Sequence, residues 1–196
     1  MTQSLSDEAL DTIFRKARTA NSYHPESIGV DRLREIWDLA KWGPTSANCM
    51  PARIAWCLSQ DSKDRLADCA SEGNAPKIRK APVVGIVGMD MEFYEQLPVL
   101  YPAADARSWF AGRPQAIADT AFRNSSLQGA YLIIAARALG YAVGPMSGFD
   151  HEKVDAAFFE GSTVKSNFIF TLGRGDPEGY RPRGPRLSFD EASVVV

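Results

Sequence analysis

The chain has 196 residues, 22 of them Lys or Arg and 24 Asp or Glu, for a formal charge of −2; 45% are hydrophobic, and there are three Cys and two His. At roughly 100–200 residues per domain this predicts a single domain over residues 1–196, large enough to bury about 70% of its unfolded surface, so a miniprotein built on disulfides is excluded. The near balance of charge gives no overall basic field, which argues against nucleic acid or an anionic membrane as partner, and any bound anion must be met by local cations.

Cys49, Cys57 and Cys69 cannot all pair, and no Cys-x-x-Cys occurs, which fits a reducing cytoplasm. Met1–Leu10 has neither a basic nor an apolar region, and apolar runs such as Tyr131–Ala136 fall far short of the ~20 residues of a membrane span. The expectation is a soluble cytoplasmic protein with no membrane contact. His24 and His151 form no paired ligand motif, so no metal site is expected.

In chain order, Ser6 followed by Asp7 and Glu8 predicts a capped helix that fades near Asn21, and Asp31 begins a second helix stopped by Gly43-Pro44. The loop Gly43–Pro51 follows. Arg53–Leu58 is strand-like, Ser62–Ser71 and Ala75–Lys80 are short helices, and Pro82–Met89 is a valine-rich run suited to a strand buried on both faces. From Pro114 to Leu139 the apolar period predicts a long central helix of about 39 Å, closed by Gly140. Strands at Tyr141–Gly144 and Asn167–Leu172 flank a helix at Asp150–Phe159, and so few strands among so many helices favour an α+β fold.

No dinucleotide or P-loop fingerprint occurs, and no hydrolase nucleophile elbow. Cys49 has no neighbour that would depress its pKa and reads as a passive thiol. Four stretches instead suit an anionic, aromatic ligand, although each also reads as an ordinary turn or a solvated basic segment. The loop Trp42–Pro51 carries two hydroxyls and an amide on a backbone stiffened by prolines. Arg15, Lys16 and Arg18 lie beside Thr19 and Asn21. Arg181, Arg183 and Arg186 alternate with Pro and Gly on a chain that cannot join a helix. Gly144-Pro145-Met146-Ser147-Gly148 follows a strand, where glycine lets a flat ligand approach backbone N–H groups. Asn124, Gln128 and Tyr131 form a polar stripe on the long helix that faces either a ligand cavity or a second subunit, and Val194–Val196 is either a docking end or a frayed one.

Taken together and in order, these segments resemble the nitroreductase family of flavin mononucleotide (FMN) enzymes over nearly the whole chain. The segments are Ala17-Arg18-Thr19-Ala20-Asn21, Pro44-Thr45-Ser46-Ala47-Asn48-Cys49-Met50-Pro51, Asn74 with Lys77, Pro145-Met146-Ser147-Gly148-Phe149, and Arg183 with Arg186. Trp42–Arg53, Phe93–Glu95, Asp105–Phe110, Ala121–Ser126 and Gly144–Asp150 further resemble the subgroup of malonic semialdehyde reductases of pyrimidine degradation. The resemblance implies an α+β fold with a central mixed sheet flanked by helices, in a homodimer that exchanges C-terminal arms and holds two FMN sites at its interface.

Carried over by residue, Arg18 and Thr19, with Asn21 and with Arg183 or Arg186, would meet the FMN phosphate. Pro44, Thr45, Ser46 and Asn48 would reach the flavin from the other subunit. Asn74 and Lys77 would address the pyrimidine edge, and Pro145, Met146, Ser147 and Gly148 would line the ring. Arg107, Trp109 and Phe110 would roof a substrate pocket. The implied chemistry is centred on the flavin, with ping-pong hydride transfer from NAD(P)H to N5 and on to a small oxidant, so no catalytic triad is required. Malonic semialdehyde, reduced to 3-hydroxypropionate, is the implied oxidant; broad nitro or quinone reduction and a non-catalytic FMN-binding module are the alternatives.

Overall fold

A computed structural model describes residues 4–196; residues 1–3, the start of the segment read for a leader, lie outside the described residues. The helices are α1 (Asp7–Leu10), α2 (Val30–Ala40), α3 (Gln60–Asp68), α4 (Ala75–Lys80), α5 (Leu97–Leu100), α6 (Pro114–Ala138), α7 (His151–Phe158) and α8 (Phe189–Ala192). The strands are β1 (Ala52–Cys57), β2 (Val83–Asp90), β3 (Ala142–Met146) and β4 (Val164–Gly173).

The first helix stops earlier than the sequence suggests. After one α turn it widens into a π turn over Asp11–Arg15, closed by the bond from the Lys16 N–H to the Asp11 carbonyl at 2.8 Å. The chain then leaves helical geometry, and Tyr23 bridges to Gly175. Side-chain caps fix the starts of α3 and α7: Ser59 accepts from the Ser62 N–H and Asp150 from the Lys153 N–H.

The strands lie in the order β1-β2-β4-β3, and every pairing is antiparallel. This departs from the mixed sheet the resemblance implies. β2 and β3 point the same way, and α6 makes the long crossover that a parallel pair would need. β4 is inserted between them, however, so two antiparallel pairs replace the parallel one.

β2 is buried over its first six residues, as its apolar run predicts, because both faces of the sheet are covered. On one face Val83, Val87, Phe170 and Leu172 pack with Leu33 and Ile36 of α2 and Leu132 and Ala136 of α6. On the other, Val84, Ile86 and Ile169 pack with Leu66 of α3, Ile78 of α4 and Val154 of α7. A Cβ on Gly85 would fall 2.4 Å from the Phe170 ring. Gly85→Ala is therefore expected to cost about 1–3 kcal/mol by overpacking, read as a lower urea midpoint at an unchanged slope.

Candidate functional site

Phe14, Ala17, Arg18, Thr19, Asn21 and Arg137 line a cavity of about 490 Å³ with the C-terminal segment Arg181–Gly184 and Arg186. Five arginines, Arg18, Arg137, Arg181, Arg183 and Arg186, thus line one space, and no acidic residue lines it. Their hydrogen bonds go to backbone carbonyls. Arg18 donates to the Arg181 carbonyl, Arg183 to those of Arg15 at 2.8 Å and Ala17 at 3.0 Å, and Arg186 to those of Gly184 and Pro185. Asn21 donates to the Gly179 carbonyl at 3.3 Å. Arg15 and Lys16, grouped with these cations by sequence, are instead neutralised by Asp7 and Asp11 on the outer side of the first helix.

β3 runs past the expected end at Gly144 through Pro145 and Met146, which pair with Phe170 and Ile169, so only Ser147 and Gly148 of the predicted turn leave the sheet. None of these four residues lines the arginine cavity, and β3 meets the segment that does at Gly144. The Tyr23 hydroxyl shares a 2.6 Å hydrogen bond with Thr171, and a Cβ on Gly144 would lie 3.1 Å from the Ala20 carbonyl and 3.3 Å from the Tyr23 hydroxyl. Only glycine lets the Ala20 backbone, next to Thr19, sit against β3. At its far end the turn is tied down by Asn74, whose amide donates to the Gly148 carbonyl at 3.1 Å, and by the Ser71 N–H at 3.0 Å. Lys77, one helical turn beyond Asn74 on α4, forms no ion pair among the described residues. On the α6 side, Pro145, Met146 and Ser147 border a second cavity of about 460 Å³ with Ser126, Ala130, Asn167 and Phe168. β4 bulges at Asn167, which donates to the hydroxyls of Ser125 at 2.8 Å and Ser126 at 2.9 Å.

The loop after α2 is strained. Ala47, Asn48 and Met50 all have positive φ, between 39° and 50°, a region costing roughly 1–2 kcal/mol per non-glycine residue. The polar stripe of α6 holds it: buried Asn124 accepts from the Ser46 N–H at 2.8 Å, buried Gln128 accepts from the Ala52 N–H at 2.8 Å, and Tyr131 packs on Gly43. Asn48 donates to the Leu100 carbonyl at 2.9 Å, which fastens the loop to the Phe93–Phe110 segment. Pro44, Ser46 and Asn48 are left facing outward, with Thr45 half-buried and accepting from the Met50 N–H. In that segment Arg107 grips Glu95 through Nε and Nη2, both at 2.7 Å, and Trp109 lies against Tyr101. Phe110 does not roof a pocket, because its ring is buried edge-on against Phe93 at 5.0 Å.

The predicted residues thus form two groups. Arg18, Thr19, Asn21, Arg183 and Arg186 surround the arginine-lined cavity, while Pro145, Met146 and Ser147 border the second one and Asn74 is bonded to Gly148. Pro44–Asn48 and Arg107 form the other group. Asn124, which holds the loop, and Ser126, which borders the turn, are about 200° apart around α6, so the groups lie on opposite flanks of that helix within one chain. Arg137, Ser126 and Asn167 were not anticipated. A basic residue in the last turn of a helix reads as a dipole partner, whereas an amide inside the apolar strand Asn167–Leu172 was a usable signal.

Burial pushes the Cys49 thiol up to about 11, which keeps it protonated and unreactive. Burial likewise raises Cys57 to about 11 and the Tyr23 phenol to about 12. These groups stabilise the fold fully below their unfolded values of 9.0 and 10.0, and that contribution is lost as pH rises through the folded ones. Unfolding free energy is expected to stay level from about pH 7 to 9 and then fall toward pH 12; a flat curve beyond pH 11 in urea titrations would contradict this.

Comparison with known proteins follows the same lines. The family profile described as "Nitroreductase family" matches residues 2–173. The chain belongs to the nitroreductase family. A provisionally named NADH dehydrogenase/NAD(P)H nitroreductase of Xanthomonas oryzae pv. oryzae is 56% identical over 193 residues, 98% of each chain, and one of Stenotrophomonas maltophilia is 53% identical over the full length of both. Among solved structures, a nitroreductase of Bacillus subtilis aligns with a TM-score of 0.89 at 24% identity, covering 97% of this chain and 100% of its own. An FMN complex of a nitroreductase from Exiguobacterium sibiricum aligns with a TM-score of 0.86 at 21% identity over all of both chains. At these identities the structures establish that this chain has the nitroreductase fold. Among the described residues no helix is long and apolar enough to cross a membrane, and no cluster of three metal-ligating side chains occurs.

Proposed function

We propose that this nitroreductase is an FMN-dependent NAD(P)H oxidoreductase, acting as a homodimer in the cytoplasm, whose physiological oxidant is malonic semialdehyde. The observation that carries the reading is the cavity lined by five arginines and no carboxylate. A phosphate ester is the ligand that such a donor set fits, and the separate cavity bordered by Pro145, Met146, Ser147 and Phe168 offers a wall for a flat ring.

When bound, FMN supplies the hydride chemistry between NAD(P)H and the oxidant. The chain supplies binding and orientation. Arg18, Thr19, Asn21, Arg183 and Arg186 would hold the phosphate. Pro145, Met146, Ser147 and Gly148 would line the ring, Asn74 would fix the turn and reach the pyrimidine edge, and the Lys77 ammonium would favour negative charge there. Pro44, Thr45, Ser46 and Asn48 of the partner subunit would complete the site, since within one chain they sit across α6 from the turn.

A dimer is supported by surface area. The chain exposes 11576 Å², whereas a compact 21.5 kDa monomer exposes about 9,200 Å². The excess is on the scale of an obligate interface. Trp42, Phe122, Leu127 and Tyr131 lie exposed around α6, and Leu187, Phe189 and Val194–Val196 extend along the uncovered C-terminal arm.

An acidic oxidant would meet Arg107 beside the strained loop only by displacing Glu95, which holds its Nε and Nη2. Purified protein is expected to bind one FMN per chain and to show a higher kcat/KM for malonic semialdehyde than for nitrofurans or quinones. Protein that stays colourless after FMN addition would overturn the cofactor reading. Neglect of the aldehyde in favour of nitro compounds or quinones would instead support the broad reductase activity that the relatives' names suggest.

A further inference from the structure

We infer that Arg137 is a phosphate-binding residue of the arginine-lined cavity and makes it selective for a phosphate monoester over the neutral, dephosphorylated flavin. The inference rests on the reading of that cavity as the FMN phosphate site and adds a residue that no motif marks.

Arg137 lies in the last turn of α6, where the helix dipole offers about half a negative charge. That cannot balance a full cation, and the remaining surroundings add to the imbalance. Its Nη1 donates to the Ile13 carbonyl at 3.2 Å, but its Nε is buried with no acceptor. No carboxylate pairs with it among the described residues, and the charged group it feels most is the like charge of Arg183. Burial and that repulsion together lower its pKa.

Arg137 is half-buried, yet its Nε is sealed from water without an acceptor and its charge has no counter-ion, so a residue kept only for packing would do better as Met or Leu. The arrangement makes physical sense when an anion occupies the cavity that Arg137 lines with Arg18 and Arg183. A phosphate dianion would offset the repulsion between Arg137 and Arg183 and offer oxygens to donors now turned on backbone carbonyls. Riboflavin brings no such charge, so Arg137 should not assist its binding.

The test uses the full-length protein stripped of flavin, with affinity for FMN and for riboflavin measured by fluorescence quenching, and thermal stability measured with and without inorganic phosphate. Wild type is expected to prefer FMN strongly and to be stabilised by inorganic phosphate. Arg137→Met should weaken FMN by about tenfold to a hundredfold, leave riboflavin unchanged, lose the phosphate response, and be as stable as wild type without ligand. Arg137→Lys, which keeps a charge in the same space, should recover part of the FMN preference. Equal weakening of both flavins by Arg137→Met, or undiminished FMN affinity in it, would overturn the inference. A wild type that does not distinguish the flavins would overturn the FMN reading beneath it, which is a separate outcome.

Discussion

Asn124→Leu is expected to lower stability by about 1–3 kcal/mol and to weaken FMN binding roughly a hundredfold, although its side chain would not be required to touch the flavin. Leucine fills the same volume but cannot accept from the Ser46 N–H, and Asn124 is almost wholly buried. The loop it holds contains three left-handed non-glycine residues and so stores strain that relaxes once the strut is gone. Relaxation would displace Ser46 and Asn48 together, along with the partner-facing edge of the site. Urea denaturation reads the stability loss and flavin fluorescence the affinity. A destabilised variant with unimpaired affinity would mean that the strained loop does not contribute to the flavin site.

On the proposed homodimer, deleting residues 187–196 is expected to yield monomers that no longer retain FMN. The removed segment carries Leu187, Phe189, Val194, Val195 and Val196, all largely exposed within one chain. At about 1.5–3 kcal/mol per large apolar side chain buried, covering these five would contribute on the order of 10 kcal/mol before the costs of association. The deletion leaves Arg183 and Arg186 in place, so lost flavin binding would report on the missing partner rather than on missing cations. Sedimentation velocity at micromolar protein reads the assembly state. A truncated chain that stays dimeric would remove the arm from the interface.

Much of this organisation was legible in the sequence, and the parts that were not share a physical cause. Apolar period and flanking Pro, Gly and cap residues located α2, α6 and all four strands, because those signals are local. The early end of the first helix was missed because a π turn at Asp11–Arg15 satisfies the same apolar pattern until the chain is pulled away to the Tyr23–Gly175 bridge. The antiparallel sheet was missed because the insertion of β4 between β2 and β3 is a long-range choice that no local pattern encodes.

At the site, basic residues interleaved with Pro and Gly marked Arg183 and Arg186 as cations off the helices, and the structure brings them to Arg18 and Thr19 across more than 160 positions of chain. Arg137 carried no mark, since a cation ending a helix is commonplace. Asn124 and Gln128 left two readings open, a ligand cavity or a second subunit. Both spend their acceptors on backbone N–H groups of the loop and β1, while the Gln128 Nε2 is buried without a partner.

Turnover of the bound flavin separates a reductase from a flavin-binding module most directly. Protein loaded with FMN and titrated with NADH, and separately with NADPH, under anaerobic conditions is expected to lose its yellow colour stoichiometrically with at least one of the two. Colour should then return on addition of malonic semialdehyde. Bound FMN that neither nucleotide bleaches would contradict the account and leave a flavin-binding module without reductase activity.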